Sequence, residues 1–112
     1  MVRRHVPEAG DIVWLHFDPE AGHEQAGHRP ALVVSRSSYN GKTGLTLCCP
    51  MTTQVKGYPF EVLISGDPPG AVLADQVKSL DWVACKASHK GSVSPSELTQ
   101  VLAKISVLIE EQ

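Results

Sequence analysis

No stretch of this sequence approaches the ~18 consecutive apolar residues that a membrane-spanning helix needs. The first residues, Met1-Val2-Arg3-Arg4-His5-Val6-Pro7, lack the apolar core of a signal peptide. Both absences predict a soluble, cytoplasmic protein. Cysteine is sparse, with three residues, Cys48, Cys49 and Cys85. Their odd number, with no C-x-x-C or H-x-x-x-H spacing, predicts reduced thiols and no structural zinc site. Cys48-Cys49 sits in an apolar run, so at least one reads as core filler. There is no glycine-rich P-loop and no G-x-S-x-G elbow, which leaves nucleotide hydrolysis and serine acyl transfer unsupported. A basic excess is missing too: 10 Lys and Arg stand against 12 Asp and Glu, a formal charge of −2. That argues against strong non-specific binding of nucleic acid, while leaving room for a basic groove on a neutral body. Repeats, linkers and low-complexity tracts are absent.

What is present is an ordinary globular composition, 42% apolar and 20% charged, in 112 residues. That length predicts one domain spanning residues 1–112, which can bury roughly two-thirds of its extended surface. Ile12–Phe17, Ala31–Ser35, Leu45–Pro50, Phe60–Ile64 and Ala71–Leu80 read as strands, with a weaker one around Val83–Lys86. Asn40-Gly41 signals a hairpin turn before Leu45, and Ser65–Gly70 a rigid turn. One helix is clear. Ser94-Pro95-Ser96-Glu97 combines an N-cap serine, a proline at the first helical position and a capping-box glutamate. Leu98, Val101, Leu102, Ile105, Leu108 and Ile109 then recur on one helical face. The fold expected is mainly β with a C-terminal helix: a small curled antiparallel sheet capped by that helix.

The richest chemistry lies in His23-Glu24-Gln25-Ala26-Gly27-His28-Arg29-Pro30, a dense polar loop feeding a buried strand. A second polar loop, Thr52–Lys56 with Tyr58, adds hydroxyls, an amide, a lysine and an aromatic ring. If the two loops converge, the set suits a phosphodiester better than an acyl group. RNA carries its own nucleophile, the 2′-hydroxyl. An enzyme using it needs a base, donors for the non-bridging oxygens and an acid for the leaving 5′-oxygen, and no metal. The planar fork of Arg29 suits the phosphate. Glu24 or a histidine can take the proton. Thr52 or Thr53 can donate to the developing charge. Lys56 and Lys78 can hold neighbouring phosphates, and the Gln76 amide can read a base edge.

Plainer roles compete for the same residues. Arg29 and Glu24 can form a surface ion pair of small energetic value. His28 reads first as a solvated or capping residue, and His16 as structural. His5, His23 and His89 read as surface residues, and Trp14 and Trp82 as core or interface.

Several segments together resemble one family. They are Gly10-Asp11-Ile12-Val13-Trp14, Glu24-Gln25-Ala26-Gly27-His28-Arg29-Pro30-Ala31, Tyr39-Asn40 with Lys42-Thr43-Gly44, Thr52-Thr53-Gln54 with Lys56-Gly57-Tyr58-Pro59-Phe60-Glu61-Val62, Leu73-Ala74-Asp75-Gln76-Val77-Lys78-Ser79, and Lys104-Ile105 with Val107-Leu108-Ile109. The sequence resembles the MazF/PemK family of toxin endoribonucleases over nearly its whole length. The pairing of Glu-Gln-x-Gly-x-Arg-Pro with Thr-Thr-Gln is far more specific than either motif alone.

The resemblance implies an SH3-like antiparallel β-barrel with a terminal helix, of the MazF/PemK/CcdB-like kind, acting as a homodimer. It implies metal-independent cleavage of single-stranded mRNA at a short ACA-type motif, leaving a 2′,3′-cyclic phosphate and a 5′-hydroxyl. The family's essential arginine, threonine and glutamate fall on Arg29, Thr52 and Glu24. Thr53, Lys56, Asp75, Gln76 and Lys78 are the expected RNA-binding residues beside them. No cofactor is implied. The partner implied is a MazE-like antitoxin, whose acidic extended tail would cover the RNA groove. Arg29 and Glu24 both stay open as the proton-transfer group. Departures from the family pattern are His16, where close relatives carry an acidic residue, His23, a short Asp67-Pro68-Pro69-Gly70 turn, and Cys85-Lys86. Two rivals share the barrel: a gyrase-poisoning toxin and a catalytically silent binding barrel. The end Leu108-Ile109-Glu110-Glu111-Gln112 is unlike the tryptophan-bearing C-terminus of the first. The joint presence of Glu24, Arg29 and Thr52 disfavours the second.

Overall fold

The computed structural model describes residues 5–16, 28–66 and 69–110. Along them run β1 (Asp11–His16), β2 (His28–Val33), α1 (Ser37–Thr43), β3 (Leu45–Thr52), β4 (Glu61–Ile64) and β5 (Gly70–Leu73). A 3-10 turn (Ala74–Gln76), β6 (Lys78–Asp81), β7 (Ser88–Ser92) and α2 (Pro95–Ile109) follow. The strands form one antiparallel sheet in the order β4-β5-β3-β2-β1-β7, with β6 also paired to β3. The sheet curls into a half-barrel with a C-terminal helix, as the apolar pattern predicts.

The middles of β1, β2 and β3 read as apolar runs because both of their faces are buried there. Ile12, Leu32 and Cys49 point into a core closed by Val62, Ile64, Val72 and the helical Val101. Their neighbours Val13, Ala31, Val33 and Cys48 point into a second cluster with Leu15 and Cys85. All three thiols are buried and free. Burial pushes Cys48 and Cys49 up to about 12, and raises Cys85 too, so none is a ready nucleophile.

The capping box of α2 forms as expected. The Ser94 hydroxyl accepts from Glu97 N–H, and the Glu97 carboxylate accepts from Ser94 N–H. The same carboxylate also takes Ser65 N–H at 2.9 Å, tying the helix start to the end of β4. The apolar stripe only partly faces the core. Val101 is fully buried and Leu98 and Ile105 pack on the core, but Leu102, Leu108 and Ile109 are exposed.

Three local expectations need correction, and one strand has no counterpart among them. Asn40-Gly41 lies inside α1 and makes no hairpin. The Asn40 side chain is buried, donates to Pro7 O at 2.8 Å and Ser35 O at 3.0 Å, and accepts from Ser35 Oγ at 2.6 Å. These tertiary bonds outweigh the local turn preference, and the chain reverses at Gly44, with φ 76°. Secondly, the long strand Ala71–Leu80 is two strands. Val72 pairs with Met51 and Lys78 with Cys48, so the chain has more residues than the ladder can use, and Ala74–Gln76 winds into the 3-10 turn. Thirdly, Val83–Lys86 is a turn, because the Asp81 carboxylate accepts from Val83 N–H and Ala84 N–H. The strand without a counterpart is β7, Ser-His-Lys-Gly-Ser, which has no apolar residue to announce it. The expected turn at Ser65–Gly70 falls partly outside the described residues.

Candidate functional site

The ends of β2 and β3 set the site. Arg29 sits near the start of β2, paired with Leu15 of β1, and its side chain is exposed. Thr52 ends β3 opposite Ala71. Its Oγ1 accepts the Gln54 N–H at 3.0 Å, which turns the chain sharply after the strand. Both residues line a cleft of about 810 Å³. Thr53, Gln54, Gln76 and Lys78 line it as well. Gln76 arrives from the 3-10 turn and Lys78 from the first position of β6. The break between β5 and β6 thus delivers both to the cleft. Of the two polar segments that the sequence sets apart, Arg29 of the first and Thr52, Thr53 and Gln54 of the second line one cleft.

Among the described residues that line the cleft, Arg29, Lys78 and Lys90 carry positive charge and none is acidic. The described lining of the cleft is therefore basic on a chain whose formal charge is −2. Apolar and aromatic walls come from Ile12, Trp14, Pro30, Pro50 and Met51. That mixture of cations, amides, a hydroxyl and one indole suits a polyanion with planar bases.

Lys56 and Asp75 do not line this cleft. Lys56 belongs to an exposed loop organised by Glu61, whose carboxylate accepts from Lys56 N–H and from Gly57 N–H at 2.8 Å. Asp75 is exposed beside Gln76 on the 3-10 turn. Glu24, with the rest of His23–Gly27, lies outside the described residues.

Sequence reasoning missed Lys90 and undervalued Trp14. Lys90 stands with its Nζ 5.4 Å from the centre of the Trp14 ring. It reaches that face through a β-bulge. Asp11 pairs with Ser92 and Ile12 with Gly91, but Val13 then pairs with His89. Lys90 is the extra residue, and a one-residue slip exchanges the faces of its neighbours. Lys90 joins Ile12 and Trp14 at the cleft, and His89 joins Val13 on the other side.

Comparison with known proteins places this geometry. Residues 8–109 match the family described as PemK-like, MazF-like toxin of type II toxin-antitoxin system. The endoribonuclease toxin MazF of Escherichia coli strain K12 is 59% identical over 110 residues, 97% of this chain and 99% of that protein. The crystal structure of MazF (Form-I) from Deinococcus radiodurans superposes with a TM-score of 0.84 at 47% identity, covering 95% of this chain and 98% of that one. A MazE-MazF crystal structure (Form-II) from the same organism gives a TM-score of 0.83 at 42% identity, covering 95% and 97%.

Proposed function

The chain belongs to the PemK-like, MazF-like toxins of type II toxin-antitoxin systems, and from that premise we propose that it is a sequence-specific endoribonuclease of single-stranded mRNA. It cuts at a short ACA-type motif in the cytoplasm and so arrests translation and growth. The observation that supports this most is the meeting of Arg29 and Thr52 in one cleft with Lys78, Lys90 and no described carboxylate.

In this mechanism the RNA 2′-hydroxyl gives up its proton and its oxygen attacks the adjacent phosphorus. The P–O5′ bond breaks, and the departing 5′-oxygen takes a proton. The products are a 2′,3′-cyclic phosphate and a 5′-hydroxyl, with no water or metal consumed. Arg29 binds the non-bridging oxygens through its guanidinium fork. Thr52 Oγ1 already accepts the Gln54 N–H, so its own O–H is the donor it can offer to the charge that develops on the phosphate. Glu24 is the candidate base, with Arg29 the alternative proton-transfer group. Lys78 and Lys90 hold flanking phosphates. Thr53 and Gln76 read base edges. Lys56 and Asp75, outside the cleft, act on RNA beyond the cut site.

The working form in this reading is a homodimer of 112-residue domains, regulated by a MazE-like antitoxin. An acidic antitoxin tail laid along the cleft would put carboxylates where phosphates bind, which is the expected complement to three cations. The test is cleavage of a single-stranded oligonucleotide with one ACA, with end mapping and with a chelator present. Wild-type protein should cut in the chelator and leave cyclic-phosphate ends. Arg29→Ala and Thr52→Ala should lose at least ~100-fold in rate while circular dichroism stays unchanged. Full activity in both folded variants, or cutting that the chelator abolishes, would overturn the mechanism.

A further inference from the structure

The bulge that sends Lys90 into the cleft sends His89 to the opposite face of β7. There it meets Asp11 and His5. His5 Nε2 lies 3.2 Å from Asp11 Oδ2, and His89 Nε2 lies 3.8 Å from Asp11 Oδ1. The two rings stand edge to face, with centroids 5.3 Å apart. One donor atom from each residue can be chosen so that all three lie within 4.8 Å of one another. With metal–ligand bonds of about 2.0–2.1 Å, the ligands of a tetrahedral ion stand about 3.3 Å apart. The three groups are therefore near that spacing already, and two of them are exposed side chains free to close the remainder.

We propose that His5, Asp11 and His89 form a surface site for a divalent transition cation of the zinc class. Two imidazoles and one carboxylate are the donor set such borderline ions take. The carboxylate is positioned by a further contact, because Glu8 N–H donates to Asp11 Oδ2 at 2.9 Å. A cavity of about 330 Å³, lined by His5, Val13, Lys86 and His89 among others, lies beside the triad. It leaves room for water to complete the coordination. The site would pin the N-terminal segment at His5 onto the β1–β7 edge. Spacing rules miss it because its ligands stand at positions 5, 11 and 89, and only the strand pairing with its bulge unites them. None of its residues lines the cleft of Arg29 and Thr52.

The test uses the chelator-treated 112-residue protein. Zn²⁺ is titrated by calorimetry and Co²⁺ by visible absorption, beside His5→Ala, His89→Ala and the double variant. Wild type should bind one ion per chain, gain melting temperature with Zn²⁺, and give a cobalt spectrum of nitrogen and oxygen ligands. Each single variant should bind at least ~10-fold more weakly, and the double variant should lose the melting-temperature gain. RNA cleavage should be the same in wild type and both histidine variants. Zn²⁺ binding undiminished in the double variant would overturn the site. So would a thiolate-to-cobalt band, which would move the ion to the cysteines, or no binding by folded wild type at millimolar Zn²⁺. Asp11→Asn keeps the side-chain shape and supplies a third variant, expected to weaken binding as each histidine change does.

Discussion

A β-carbon on Gly70 would stand 2.8 Å from the carbonyl oxygen of Thr52. The contact is backbone, so no flexible side chain can move aside. Gly70 opens β5 just before Ala71, which pairs with Thr52, and it lines the cleft. The absent side chain lets β5 lie close against the end of β3. Gly70→Ala should therefore push Thr52 away from its neighbours, at a cost of about 1–3 kcal/mol in stability. RNA cleavage should fall more than folding does, since Thr52 is moved directly. Thermal unfolding and initial cleavage rates check this, and a variant with wild-type rate and melting temperature would refute it.

Much of this was legible beforehand, for identifiable reasons. The α2 capping box is a local pattern with few alternatives, and it formed as read. Side-chain chemistry points to Arg29 and to Thr52 or Thr53, the family resemblance narrows these to Arg29 and Thr52, and strand pairing sets both at one cleft. Other features had no local signature. Asn40-Gly41 looks like a hairpin turn until the buried bonds to Pro7 and Ser35 are known. The break at Ala74–Gln76 follows from register against β3, which no window of ten residues contains. The bulge at Lys90 lies in a strand without one apolar residue, so alternation could reveal neither the strand nor its slip.

Asn40 is the clearest test of tertiary bonds overriding turn preference. It is fully buried, and its backbone oxygen also accepts the Trp82 indole N–H at 2.8 Å. Asn40→Ala would leave Pro7 O and Ser35 O without their amide donor and take from Ser35 Oγ its acceptor at 2.6 Å. An unsatisfied buried group costs about 1–3 kcal/mol, so this substitution should cost at least about 2 kcal/mol. Asn40→Asp keeps the shape but removes the donor to Pro7 O, and should be no milder. Urea unfolding followed by tryptophan fluorescence measures both. A midpoint unchanged in Asn40→Ala would contradict the proposed role.

Two carboxylates make stability acid-sensitive. The N–H groups of Ser37 and Ala9 hold Glu8 below its ordinary value of 4.5. Those of Ser65 and Ser94 do the same for Glu97. Each binds its proton less readily folded than unfolded. Their contribution is complete above about pH 4.5 and is lost as pH falls through the lower folded values. Glu97→Gln keeps one amide oxygen for the cap but cannot titrate. Wild type should lose more stability than Glu97→Gln between pH 5 and 3, about 1 kcal/mol or less for so exposed a group. Denaturation midpoints across that range decide it, and parallel pH curves for the two proteins would count against it.

Lys90 offers a way to separate phosphate binding from chemistry. Its Nζ is poised over Trp14 at the cleft wall, and its side chain is exposed. A cation there can neutralise one phosphate of the RNA without touching the scissile bond. Removing one phosphate contact lowers the slope of log affinity against log salt by about 0.7 for a single strand. Lys90→Ala should show that change, weaken binding alike across oligonucleotides of different sequence, and keep the cleavage motif. Stability should stay within about 0.5 kcal/mol, because the side chain is on the surface. Affinity measured from 50 to 300 mM salt gives the slope directly. A slope equal to wild type would place Lys90 outside the RNA path, and a changed cut motif would make it a base reader.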